Sequence, residues 1–429
     1  MKELKQKALE LNSQDELKDF RKEFIFPEAV FGASDKKGPS SNERSHLYFA
    51  GHSLGLMPKG VRESIEQELE DWQKLGVEGH VHARRPWVPY HENITASFAH
   101  LTNSKASEVV AMNTLTVNLH LMLVSFYQPT PKRYKILIEN NTFPSDKYAV
   151  DSQARFHGFD PSQAVVELRP DRDNGMTVSE QALIDQIKEQ GDELALVMLG
   201  NCNYLSGQKF PFEKIVEAAR SVGAMVGFNL AHGIGNLELS LHDWDIDFAV
   251  WCTYKYLNSG PGGIAGAFVH EKHHQRNDLN RFEGWWGHDK QTRFAMGPDF
   301  KAIPSVEAWQ LSNPPIFQLA ALKASLEVFD RATMPRLRKK SEMITSFLEE
   351  CLIEMCGSSL EIVTPKERGS MLCVRVKKNP KQLLEDLKHK DVTLDFREPD
   401  ILRMTPIALY NNFTDVFELS KIIGESLND

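Results

Sequence analysis

From Ser107 to Val269 the chain repeats one rhythm: a short apolar, largely β-branched run, then a stretch with helical spacing. The runs are Val109–Met112, Lys135–Glu139, Leu194–Leu199, Met225–Leu230, Phe248–Cys252 and Gly263–Val269. They show almost no polar alternation, so neither face of such a strand can be left in water. Strands of this kind, separated by helices, predict a mostly parallel sheet covered on both faces: a three-layer α/β/α domain. Ligands of such sheets sit at the carboxyl ends of the strands, in the loops that follow. The search for chemistry therefore starts there.

The flanks read differently. The chain opens with a polar, helix-like arm, and Ala33–Glu43 is rich in Ser, Gly, Pro and Lys, which predicts a loop. Tyr48–Pro58 is a Gly-punctuated turn. A helix is expected from Lys59, with Val61, Ile65, Leu69 and Trp72 as its apolar stripe. Near residue 312, Ser312 or Asn313 can cap a long helix whose wide apolar face leads into a second domain. A further helix over about Arg336–Met355, strands near Glu361–Val363, Ser370–Val376 and Val392–Asp395, and a last helix over about Thr414–Leu427 predict a small α+β C-terminal domain. The expected division is an arm and turn (1–60), a large α/β domain (61–312) and a linking helix with the small domain (313–429).

Composition narrows the function classes. A formal net charge of −9 argues against a nucleic-acid partner, which requires a basic footprint. No apolar run reaches membrane-spanning length, and the first residues lack the apolar core of a leader. Five cysteines without metal-ligand spacing suggest reduced, buried thiols, a cytoplasmic protein and no metal centre.

The informative segment is 226–266, VGFNLAHGIGN followed by DFAVWCTYKYLNSGPGGIAGAF. Lys255 stands between two tyrosines just past an apolar strand, and a Gly-rich turn (Gly260–Gly263) follows. An ammonium at the end of a buried strand is costly unless it is paired or neutral. Desolvation lowers its pKa and makes the amine a nucleophile, which a Schiff-base lysine requires. The alternative is a lysine that simply reaches solvent. One strand earlier, Asn229 and His232 fall near a carboxyl end, where an imidazole can stack on a flat ring or serve as a satisfied core residue. Thr114 and Thr116 open a helix after another strand, either as a phosphate cradle or as plain caps. Phe143, Ser145 and Asp146 put an aromatic face, a hydroxyl and a carboxylate in a loop after a third. On successive strand ends these are the groups that a pyridoxal 5′-phosphate (PLP) site requires.

With those residues in place, the chain resembles the kynureninases, a fold-type I PLP family of the aspartate aminotransferase superfamily, and looks closest to their eukaryotic branch. The resemblance runs from about Tyr48 to the C-terminus and rests on TVNLHLMLVSFYQPTPKRYKILIE, FPSDKYA, LHDWDIDFA, YKYLNSGPGGIAGAF, HEKH, GWWGH, SNPPI and ALYNNF. It implies hydrolysis of the Cβ–Cγ bond of L-kynurenine or 3-hydroxy-L-kynurenine to anthranilate or 3-hydroxyanthranilate plus L-alanine, a step of tryptophan catabolism. It implies PLP on Lys255, Tyr254 in phosphate contact and proton transfer, Leu115 and Thr116 on the phosphate, Phe143 on the ring, and Ser145 beside it. Asp146 and Asn229 would lie near the pyridine nitrogen, with His232 beside the cofactor. Ser53, His80 and Arg403 would meet substrate, Arg403 at the α-carboxylate. Trp285 and Asn313 would reach the site across the interface of a homodimer with shared sites.

The departures from the family pattern lie in the site itself. Asn229 stands where the family has the aspartate that bonds the protonated pyridine nitrogen. His52 replaces an asparagine, Gly200-Asn201 replaces a Ser-Gly pair that helps bind phosphate, and Leu205 replaces a tyrosine. Trp286 replaces a phenylalanine and Gln310 an arginine. Two expectations follow: an active kynureninase in which Asp146 compensates, or a diverged paralogue that keeps PLP with altered or lost activity.

Overall fold

The computed structural model describes residues 1–28, 46–172 and 175–428; the expected loop at Ala33–Glu43 lies outside the described residues. Seven strands form the central sheet: β1 (Val109–Ala111), β2 (Lys135–Ile138), β3 (Val165–Glu167), β4 (Leu194–Gly200), β5 (Met225–Asn229), β6 (Phe248–Trp251) and β7 (Gly266–Val269). Their order is β1-β7-β6-β5-β4-β2-β3. Only β7 runs antiparallel to its neighbours. Each apolar run divides its side chains between two cores. Leu137, Val197, Leu199 and Phe228 join the core on one face, and Ile136, Ile138, Leu196 and Met198 that on the other. Period-2 geometry and two buried faces explain why the interior positions of these strands carry no polar side chain.

The helices that matter here are α1 (Lys2–Gln14), α2 (Gly60–Leu75), α3 (Leu115–Phe126), α4 (Pro144–Phe156), α5 (Ile316–Ala332), α6 (Met334–Cys356), α7 (Pro380–His389) and α8 (Phe413–Asn428). A second sheet, antiparallel throughout, has β8 (Leu360–Ile362), β9 (Leu372–Val376), β10 (Asp395–Arg397) and β11 (Ile401–Met404) in the order β8-β9-β11-β10. Its core includes Phe347, Val374, Leu402 and Phe417, and Leu4 and Ala8 of α1 pack into the same core. The N-terminal arm thus docks on the C-terminal elements.

Two expectations are corrected. On α2 the buried residues are Val61, Ser64, Glu68 and Asp71, whereas Leu69 and Trp72 are exposed. The reason is a buried carboxylate: Glu68 accepts from Trp87 Nε1 at 3.0 Å and Tyr90 Oη at 2.9 Å, so the helix turns its polar edge inward. The cap of α5 is Pro315, with no side-chain hydrogen bond, so neither Ser312 nor Asn313 caps it. β3, α7 and β11 are additional to the sequence reading.

Candidate active site

Lys255 lies four residues past the end of β6, in a tight turn. Ser259 N donates to Thr253 O at 3.2 Å and Asn258 N to Lys255 O at 3.2 Å. The glycines beyond it, Gly260 (φ 94°) and Gly262 (φ 63°), take left-handed backbone angles that other residues rarely adopt. Gly55 N donates to Tyr254 O at 2.9 Å and ties the Tyr48–Pro58 turn to this one. The lysine is half-buried, and its Nζ lies 3.2 Å from His232 Nε2 and 5.9 Å from the centre of the Phe143 ring. Burial, reinforced by the charge of Arg403, pulls the ammonium pKa below its ordinary value. Burial also drives His232 well below its usual range, so the imidazole is neutral beside the amine. An amine of this kind is poised to attack a carbonyl.

The walls come from neighbouring strand ends. Thr114, Leu115, Thr116, Phe143, Ser145, Asp146, Asn229, His232, Tyr254 and Lys255 line one cavity of about 180 Å³. Thr114 holds the cap position of α3 but its side chain caps nothing. Thr116 Oγ1 and Ser145 Oγ stand 2.9 Å apart, so two hydroxyls meet at a helix N-terminus whose first N–H groups have no intrahelical acceptor. That set suits a phosphate.

At the other end, Asn229 Nδ2 donates to Asp146 Oδ2 at 2.6 Å, and Asn229 Oδ1 accepts from Ala231 N at 2.9 Å. Asp146 Oδ1 is shielded from water and has no partner among the described residues. Burial pushes the Asp146 carboxyl up to about 6, against the lowering by the Asn229 bond and by Lys255. An orphaned carboxylate oxygen facing a cavity with an amine on one side and a phosphate cradle on another fits PLP, whose pyridine nitrogen needs an acid–base partner there.

Not every expected residue is in the cavity. Ser53, His80 and Asn313 are exposed, and Trp285 is 43% exposed. His80 Nδ1 lies 3.0 Å from Val77 O, and Trp285 Nε1 donates to Arg293 O at 3.0 Å. Arg403 is buried on β11 behind Tyr204. Asp395 Oδ1 holds it at 2.9 Å from Nε and 2.7 Å from Nη2, and Nη1 donates to the Tyr204 carbonyl.

The departures have local settings. His52 Nδ1 is 2.7 Å from Thr405 Oγ1, and its ring lies 6.4 Å from that of His232. At Gly200 a Cβ would collide with Glu139 Oε1, so the space of the missing hydroxyl is taken by a carboxylate. Leu205 donates its N–H to Asn203 Oδ1 at 3.0 Å. Arg293 lies 4.4 Å over the ring of the buried Trp286. Gln310 is fully buried, 3.5 Å from His91. Glu139 and Tyr204 line the cavity and were not assigned a role from sequence. Glu139 carries the positional signal that picked out Asn229, a polar residue closing an apolar run.

Among known proteins, a family model described as the kynureninase C-terminal domain matches residues 337–423. The kynureninase of Myxococcus xanthus (strain DK1622) is 53% identical over 419 residues, covering 97% of this chain and 96% of that one. That of Koribacter versatilis (strain Ellin345) is 46% identical, covering 98% and 97%. That of the animal Nematostella vectensis is 43% identical, covering 96% and 92%. These figures do not single out the eukaryotic branch. Among solved structures, the cysteine desulfurase CsdA from Escherichia coli has a TM-score of 0.75 at 17% identity, covering 96% of this chain and 98% of that one. A variant of C-DES with glycine covalently linked to its PLP cofactor has a TM-score of 0.73 at 15% identity, covering 89% and 96%. Both share the fold.

Proposed function

This chain belongs to the kynureninase family, and from that premise we propose how its own residues divide the work. It is a PLP-dependent hydrolase that cleaves the Cβ–Cγ bond of kynurenine-type amino acids, releasing an anthranilate and L-alanine. When bound, PLP supplies an aldehyde that condenses with amines and a protonated pyridine that draws off the electron pair left by a broken bond.

Lys255 holds the cofactor and, once free, takes and returns a proton at Nζ. Its lowered pKa leaves more of it as the free amine than an ordinary lysine would have. His232, kept neutral at 3.2 Å, can accept a hydrogen bond from Lys255 Nζ and orient the amine. Thr116, Ser145 and the first N–H groups of α3 grip the phosphate, with Leu115 and Tyr254 closing that end. Phe143 forms a flat wall for the ring. Asp146 meets the pyridine nitrogen, and an anion there keeps that nitrogen protonated. Arg403 binds the substrate carboxylate, with Asp395 holding its Nε edge. Tyr254 Oη moves the proton of the water that attacks the γ-carbonyl.

The observation that carries this reading is the 2.6 Å bond from Asn229 to Asp146. It supports retention of one carboxylate at the pyridine end, oriented by a neutral amide, and so favours the active enzyme over the diverged paralogue. The test is direct. PLP-loaded protein is mixed with 3-hydroxy-L-kynurenine or L-kynurenine, and product fluorescence is followed for it and for Asn229→Asp. Turnover by the unaltered chain is expected. Bound PLP without product from either substrate would overturn the reading.

The outer half of the site is assigned to a homodimer. Trp285 and Asn313 of a second copy would cover the open side of the cavity, with Ser53 and His80 toward the substrate ring. Exposed Phe294, whose ring lies 5.4 Å from that of the exposed Trp285, supports a surface that pairs there. No helix among the described residues is long and apolar enough to cross a membrane. Five free, buried thiols support a reducing compartment, the cytoplasm.

A further inference from the structure

Glu139 directly follows strand β2 at the floor of the cavity, almost fully buried, and no cation pairs with it among the described residues. Its Oε1 accepts from Gly200 N, and its Oε2 accepts from Asn203 Nδ2 at 2.5 Å. Two donors facing two oxygens are the pattern of a carboxylate, although burial pushes this group up to about 7, with Asp146 adding to the rise.

Asn203 passes the hold onward. Its Oδ1 accepts from Leu205 N at 3.0 Å, Ser206 N at 2.8 Å and Ser206 Oγ at 3.1 Å, which shapes the turn 203–206. That turn presents the Tyr204 carbonyl to Arg403 Nη1. It also sets the Tyr204 ring 5.4 Å from Phe143 and 5.8 Å from the Arg403 guanidinium. One unbroken set of bonds therefore runs from the cofactor floor to the guanidinium.

We propose that Glu139 is a positioning residue for substrate: through Asn203 and the Tyr204 carbonyl it sets where Arg403 receives the α-carboxylate. The absence of a side chain at position 200 is part of the same device, because a Cβ there would displace Oε1. The inference rests on the kynureninase reading for the identity of the substrate and for the place of Arg403 at its α-carboxylate.

The test exploits hydrogen-bond polarity. In Glu139→Gln one oxygen still serves Gly200 N, but the new NH2 faces the Asn203 NH2 and the bond is lost. In Glu139→Gln/Asn203→Asp the direction is reversed: the glutamine amide donates and the aspartate accepts, while the aspartate can still take the Leu205 and Ser206 N–H groups. Holoenzymes are compared for KM and kcat with L-kynurenine, and for L-alanine affinity through the change in cofactor absorbance. The single variant is expected to raise KM and weaken alanine binding about 10-fold, with kcat within about 3-fold and PLP affinity unchanged. The double variant should return both within about 3-fold of the original. If Glu139→Gln does not fold, Gly200→Ala displaces the same carboxyl and should give the same split. Unchanged KM and alanine affinity would overturn the proposal, as would a joint fall of kcat, PLP affinity and melting temperature that the double variant does not rescue. Were kynurenine not turned over at all, the alanine measurement would still decide this proposal, while the function assigned above would fail.

Discussion

The inner and outer halves of the site differ in how their polar groups are held. Inside, Lys255, His232, Asp146 and Asn229 lie at or just past the carboxyl ends of β6, β5 and β2, each within about 3 Å of another member of the set. Outside, Ser53, His80 and Asn313 are exposed, and among the described residues the side chains of Trp285 and His80 hydrogen-bond to backbone near them in sequence. The sheet fixes the first group because a buried polar atom must find a partner. Nothing in one subunit imposes a geometry on the second. On the reading proposed above, a single chain builds the half that would grip the cofactor, and a second copy would complete the half assigned to the substrate ring.

The comparison can be broken most decisively from the inside. Lys255→Ala should lower kcat/KM by about 10³-fold or more, since both cofactor attachment and proton transfer are lost. A loss of less than about 10-fold would mean the inner half is not the chemical centre. Asp146→Asn is next, at roughly 10²-fold in kcat, because Asn229 cannot replace the charge at the pyridine end. Should Asn229→Asp instead prove the larger change, upward, the burden does not rest on Asp146.

Acidity sharpens the same contrast. Asp146 carries a carboxyl raised to about 6 without cofactor; a protonated pyridine nitrogen beside it would lower that value, so in the holoenzyme its protonation, and loss of the charge opposite that nitrogen, is expected on the acid side of 6. Activity should drop along that limb, and Asp146→Asn should flatten it in the pH profile. For the cofactor-free protein the sign is opposite. Folding raises this pKa above its unfolded value near 4, so the carboxyl favours the folded state below about pH 4 and loses that contribution as pH rises through 6. Urea titrations of the apoprotein at pH 5 and 7, with and without Asp146→Asn, measure it.

Smaller effects are expected from the outer half. Asn313→Ala should cost about 10-fold in kcat/KM. Its decisive use is in a mixture: Lys255→Ala and Asn313→Ala subunits, dissociated and reassociated, should recover about a quarter of full activity, since one site in each mixed dimer is intact. No recovery in a proven mixed dimer would place both halves in one subunit.

How much was legible in the sequence follows the same divide. Runs such as Lys135–Glu139 and Met225–Leu230 were readable as strands because both faces are buried, and the groups at their ends followed from where parallel sheets bind ligands. β3, with only Val165, Val166 and Glu167, was too short to stand out. In sequence Glu139 reads as the end of a strand rather than as part of the floor, because its partners, Gly200 and Asn203, lie 61 and 64 residues away. Leu69 and Trp72 had the period of a buried stripe, yet Glu68 took the inward place because Trp87 and Tyr90 satisfy it. His80, Trp285 and Asn313 came from resemblance alone, since no pattern within one chain marks a contact made by another.

Everything here turns on the amine at Lys255. The holoenzyme should be reduced with borohydride, digested and mapped by mass spectrometry. The pyridoxyl group is expected on the peptide containing Lys255, with the visible absorbance of the protein lost in step. A pyridoxyl group on any other lysine, or a fully reduced cofactor that leaves that peptide unmodified, would contradict the account.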